Sequence, residues 1–128
     1  MDEIVDIIKT RVVKDGDAIM FDIDDTLIDN STHEIIPHIK ELLDLGIKLN
    51  YKIVIITARP GDKKSQEFTE TELELHDIKY HFLGYCSPED KSFVKQHLMK
   101  IQKWHFVLSV GDMPTDLTDS EMYIQVTS

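Results

Sequence analysis

Three stretches of the chain are apolar without the alternation that a strand with one wet face would show: Ile19-Met20-Phe21, Ile53-Val54-Ile55-Ile56 and Phe106-Val107-Leu108. Such runs fit strands buried on both faces, as in a parallel sheet covered by helices. Each run then breaks into polar residues. The first enters Asp22-Ile23-Asp24-Asp25-Thr26, the second Thr57-Ala58-Arg59-Pro60, and the third Gly111-Asp112-Met113-Pro114-Thr115-Asp116. In open α/β sheets the carboxyl ends of the strands are where ligands bind, so all three breaks fall where chemistry is expected.

Between the strands the apolar spacing changes to that of helices. Ile4, Ile8 and Val12 mark an amphipathic helix over 3–13, ended by Lys14-Asp15-Gly16. Ile35, Ile36, Ile39, Leu42 and Leu43 form a second helical stripe, with Gly46 placed as its C-terminal cap. The charged stretch 62–77 reads as a helix anchored by Phe68 and Leu75, and 80–85 as a short strand. Ser87-Pro88 opens a helix over 88–103 that buries Val94, Leu98 and Ile101, with Lys91 and Lys95 on one face. Strands are expected at 18–22, 51–57 and 105–110, a turn or short helix at 113–120, and an edge strand at 123–126. Strands alternating with helices give right-handed crossovers and a mostly parallel, three-layer Rossmann-like α/β sheet with helices on both faces. At 128 residues and 41% hydrophobic content, residues 1–128 are expected to form a single domain.

The first break carries the most specific signal. A strand repeats every two residues, so Asp22 and Asp24 lean the same way, and like charges this close call for a cation or developing positive charge between them. Asp22-x-Asp24-x-Thr26, then Thr57, then a lysine on the 88–103 helix, then Gly111-Asp112-x-x-x-Asp116 resemble, in order, the four motifs of the haloacid dehalogenase superfamily of phosphohydrolases. The resemblance runs from Ile19 to Val126.

That resemblance implies a phosphatase that passes through an aspartyl-phosphate. Asp22 would be the nucleophile and Asp24 the general acid and base. Thr57 and Lys95 would act on phosphoryl oxygens, with Thr26, Arg59 and Lys91 on the substrate side. Lys95 is preferred over Lys91 as the third-motif lysine because Phe93-Val94-Lys95 is similar to the pattern of the polynucleotide phosphatase branch. Mg²⁺ would be held by Asp22 and Asp112 and the backbone carbonyl of Asp24, with Asp116 orienting the lysine or a metal-bound water.

Loops 27–52 and 59–91 are too short for the cap domain that relatives acting on small metabolites carry. An open site implies a large substrate, a phosphoprotein or a nucleic-acid 3′-phosphate, or a homo-oligomer in which a neighbour covers it. Thr57-Ala58-Arg59-Pro60 is similar to the polynucleotide 3′-phosphatase and class B acid phosphatase branches. The net charge of −10 argues against non-specific nucleic-acid binding, which rests on a basic surface. No stretch is apolar and long enough to span a bilayer and Met1-Asp2-Glu3 lacks a basic leader, so a cytoplasmic protein is expected.

Cys86 has no partner for a disulfide, and the six histidines show no ligand spacing, so both read as structural. A calcium loop fails because Leu27 stands where Gly is needed, and a receiver domain fails because 80–86 has no phosphorylatable Asp. The remaining alternative is a catalytically silent scaffold that binds metal or a protein.

Overall fold

The computed structural model describes residues 1–127. The elements are α1 (Asp2–Thr10), β1 (Asp17–Phe21), α2 (Pro37–Lys48), β2 (Lys52–Thr57), α3 (Lys63–Leu75), β3 (Phe82–Tyr85), α4 (Lys91–Ile101), β4 (His105–Gly111) and β5 (Met122–Gln125). Short 3₁₀ turns at Pro88–Asp90 and Pro114–Asp116 precede α4 and follow β4. The strands form one sheet in the order β3-β2-β1-β4-β5, and every pairing is parallel.

The unbroken apolar runs are explained by two cores, one on each face. Ile19 and Phe21 of β1 and Ile53 and Ile55 of β2 pack with Ile8 of α1, Ile39, Leu42 and Leu43 of α2 and Leu73 of α3. Their strand neighbours Ala18, Met20, Val54 and Ile56 pack on the other face with Phe106 and with Leu98 of α4. Fully burying an Ile, Leu or Phe side chain contributes about 1.5–3 kcal/mol, so a polar residue inside β1 or β2 would be costly on either face. The chain leaves β1 toward β2 and β3, then returns to the far side of β1 as β4 and β5. The order therefore reverses beside β1, which opens a crevice at the strand ends there.

Several local expectations are corrected. α1 stops at Thr10, and Val12 is 82% exposed. Ile36 is the N-cap of α2 with Pro37 following, while Ile35 bridges to Ile28 in the preceding loop. Gly46 lies inside α2, not at its end. A Cβ there would come within 3.0 Å of Ile53 Cδ1 and 3.2 Å of Ile19 Cδ1, so its small size lets α2 approach the sheet. In α3, Phe68 and Leu75 face solvent, and Thr69, Glu72 and Leu73 are the buried residues. Ile101, at the end of α4, is also exposed. Residues 22–36 and 58–62 are loops, so no cap domain is inserted at either place. Among the described residues no helix is long and apolar enough to cross a membrane.

Candidate active site

Asp22 is the first residue beyond β1. Its backbone N–H donates to Val110 O at 3.0 Å, which fixes it against the end of β4. The chain then turns sharply: Ile23 O accepts from the N–H groups of Thr26, Leu27 and Ile28, and Asp25 takes a left-handed φ of 60°. Asp25 and Asp29 are spent on this loop, accepting from the N–H groups of Asn30 and of Ser31 and Thr32.

Lys91 stands over Asp22. Its Nζ donates to Asp22 Oδ1 at 2.9 Å and to Asp116 Oδ1 at 2.6 Å, and all three residues are buried. One carboxylate oxygen from each of Asp22, Asp112 and Asp116 lies within 4.8 Å of the others. Burial pushes Asp22 up to about 7, opposed by Lys91 and reinforced by the neighbouring Asp116 and Asp112. Burial also works against the charge of Lys91, but Asp22 and Asp116 outweigh it and raise its pKa. These three hard oxygen donors, two of them already on the Lys91 ammonium, could hold a divalent cation such as Mg²⁺.

Lys95, preferred from the sequence as the lysine at the phosphate, does not meet the carboxylates in the structure. Its Nζ donates to Ser109 Oγ at 2.9 Å and to the carbonyls of Asp116 and Thr118 at 2.6 Å, and reaches none of the carboxylates. The two lysines do share the buried face of α4, but Lys95 is one turn, about 5.4 Å, further from the carboxyl edge of the sheet. It fastens the segment that carries Asp116, and burial lowers its pKa to about 8.

Gly111 makes room for this arrangement. A Cβ at that position would overlap the side chain of Asp116, whose Oδ2 also accepts from the N–H of Met113 at 3.1 Å.

A second cluster adjoins the first. The fork of Arg59 donates to both oxygens of Asp24, from Nε at 3.1 Å and from Nη2 at 2.8 Å. Nη2 also reaches Glu72 Oε1 at 2.7 Å and Nη1 reaches Thr69 Oγ1 at 3.3 Å, while His33 Nδ1 lies 3.1 Å from Glu72 Oε2. Glu72, which holds Arg59, is the member of this cluster that sequence reasoning missed. The signal was the i, i+3, i+4 spacing of Thr69, Glu72 and Leu73, which fixes the buried face of α3.

Thr57 is buried at the end of β2, where its Oγ1 accepts from the N–H of Arg59 and keeps its own proton to donate. Thr26 is also buried, and its hydroxyl has no partner among the described residues. Cys86 is half-buried, and burial pushes its thiol up, away from nucleophile chemistry.

The sequence profile described as haloacid dehalogenase-like hydrolase matches residues 19–112, which span the strand ends from before Asp22 to Asp112. The chain belongs to this family. No curated protein matches the sequence of this haloacid dehalogenase-like hydrolase. Among solved structures it is similar to a chain in "Structure of Pnkp1/Rnl/Hen1 complex", with a TM-score of 0.65 and 18% identity, covering 87% of this chain and 46% of that one. A second, "Structure of the Pnkp1/Rnl/Hen1 RNA repair complex", gives 0.64 and 18%, covering 87% and 42%. The class C acid phosphatase from Bacillus anthracis gives 0.58 and 21%, covering 86% and 56%. The chain thus spans about half the length of these neighbours, and at such identities the likeness is one of fold.

Proposed function

We propose that the chain is a Mg²⁺-dependent phosphomonoester hydrolase that works through Asp22. The observation that carries this reading is the Lys91 ammonium set between Asp22 and Asp116 at the crevice beside β1. A carboxylate nucleophile faces a phosphate whose oxygens repel it, and a fixed cation beside the nucleophile lowers that barrier. Lys91, in place of Lys95, is the lysine assigned to a phosphoryl oxygen. The hydroxyls of Thr57 and Thr26 are assigned to the others.

In the first half-reaction an Asp22 oxygen forms a bond to phosphorus as the bond to the leaving oxygen breaks, and Asp24 gives that oxygen its proton. In the second, Asp24 takes a proton from water, the water oxygen bonds to phosphorus, and the Asp22–phosphorus bond breaks to release phosphate. Asp22 is restored as a carboxylate and Asp24 as an acid. Arg59 is paired with Asp24 at 2.8 Å and holds the carboxylate in place at the edge of the site. Because the Arg59 fork occupies both Asp24 oxygens, it must turn toward the phosphate before Asp24 can meet the leaving oxygen. Asp22, Asp112, Asp116 and the Asp24 carbonyl would hold Mg²⁺, which would supply positive charge at the phosphate oxygens.

With no inserted domain to exclude water, that task falls to a large substrate or a second protein chain. The test is hydrolysis of p-nitrophenyl phosphate with Mg²⁺ and with chelator, in the wild type and in Asp22→Asn. Turnover only in the wild type with Mg²⁺ is expected. An inactive wild type that still takes up Mg²⁺ would replace this reading with that of a silent scaffold.

A further inference from the structure

Beside Asp24 the surface opens into a pocket of about 370 Å³, whose lining does not include Asp22. Asp24 and Arg59 form one side of it, and Asn30, His33, Lys64 and Phe68 line the rest. Its size falls within the range of roughly 300–1,000 Å³ usual for small-molecule sites. Asp24 is the group assigned to protonate the leaving oxygen, so this pocket lies where the alcohol portion of the substrate must sit.

Its walls describe that alcohol. Phe68 is 59% exposed on the solvent side of α3, and the Arg59 guanidinium lies 6.0 Å from the ring centroid. A planar group entering the pocket therefore meets an aromatic ring and a guanidinium together. Lys63 and Lys64 lie close in sequence to Arg59, and because Arg59 is already paired with Asp24 and Glu72, Lys64 is the cation of the lining that can take an anion. The only acid between Arg59 and Lys63, Asp62, is spent on capping α3, where it accepts from Ser65 N and Ser65 Oγ. Lys64 forms no ion pair among the described residues, and the His33 ring is more than half exposed. The pocket thus offers one planar contact and one site for an anion besides the phosphate being cleaved.

A sugar phosphate supplies only a saturated, non-planar ring. A phosphotyrosine supplies a ring but no fixed second anion. A phosphorylated nucleic-acid end supplies both, a base and the next phosphate along the backbone. Resting on the hydrolase reading above, we propose that this pocket is a subsite for the terminal nucleotide of a phosphorylated oligonucleotide, with the base against Phe68 and the adjacent phosphodiester at Lys64. A 3′-phosphate and a 5′-phosphate end share this chemistry.

The experiment measures fluorescence anisotropy of labelled oligonucleotides on the Asp22→Asn protein in Mg²⁺, so that binding is read without turnover. The probes are a 3′-phosphate end, a 5′-phosphate end, each with an abasic terminal sugar, and a phosphotyrosine peptide. At least one base-bearing end should bind about 10-fold more tightly than its abasic counterpart, the order expected for one stacking contact. Adding Phe68→Ala should bring that ratio close to one, and adding Lys64→Ala should reduce the salt dependence by about one ion. Thermal melting of each variant confirms folding. Equal binding of base-bearing and abasic ends, or tighter binding of the peptide, would overturn the proposal. Wild-type protein that hydrolyses none of the probes and no p-nitrophenyl phosphate would overturn the hydrolase reading instead, and the binding ratio would still decide the subsite.

Discussion

Arg59 grips Asp24 with two nitrogens, at 2.8 and 3.1 Å, and is itself held from behind by Glu72. Arg59→Met would leave Glu72, whose side chain is 10% exposed, without its cation. Breaking a buried pair in this way costs about 3–5 kcal/mol. The double variant Arg59→Met/Glu72→Leu should regain most of that stability in urea titrations, yet remain about 100-fold slow because Asp24 has lost its support. Recovery of turnover together with stability would show that the pair is structural only.

The two buried lysines should separate cleanly. Lys91→Ala should lower kcat by about 100-fold, comparable to losing one oxyanion donor, or about 3 kcal/mol. Lys95→Met should act first on stability, because three acceptors lose their donor and an unsatisfied buried group costs about 1–3 kcal/mol. Urea titration and saturating-substrate kinetics on both variants decide the matter. A severe kcat loss in Lys95→Met at full stability would return the phosphate to Lys95.

Acidity provides an independent check on Asp22. The unfolded group ionises near its usual 3.8, whereas the folded, metal-free group holds its proton to about 7. Between those values the native state binds the extra proton, so raising the pH erodes the stability this group contributes. Asp22→Asn has no such titration. In chelator its melting temperature should gain on the wild type as pH rises from 4 to 7 and then level off. A constant difference across that range would mean that Asp22 is not held protonated.

Metal should oppose the same repulsion. A ligand that binds only the native state stabilises it by RT ln(1 + [L]/Kd), so millimolar Mg²⁺ should raise the melting temperature. Asp112→Asn should show a smaller gain. Identical curves in Mg²⁺ and chelator would remove the support for a cation among Asp22, Asp112 and Asp116.

Strand ends were legible in the sequence because a doubly buried strand must be apolar, so that Asp22, Thr57 and Asp112 interrupt an otherwise uniform signal. The parallel sheet followed from the same runs. The choice between Lys91 and Lys95 was not legible, because both satisfy the periodicity of α4 and only distance along the helix separates them. Glu72 was hidden for a related reason. On a helix as charged as α3, one carboxylate stands out only when the buried face is known, and Phe68 points to the wrong face. Val12, Leu75 and Ile101 fit their helical stripes but lie at or beyond helix ends, where no sheet remains to cover them.

Gly111 sets the spacing of the acids by what it lacks. A single methyl group there would meet the Asp116 side chain, which supplies its three nearest atoms. Gly111→Ala should therefore separate assembly of the sheet from assembly of the charges: a folded protein by circular dichroism with weakened Mg²⁺ stabilisation. Normal Mg²⁺ stabilisation in that variant would show that Asp116 can move aside at no cost. How tightly two acids and a lysine can be gathered at this crevice is thus a question of volume as much as of charge, decided at a residue that has no side chain to take part in the reaction.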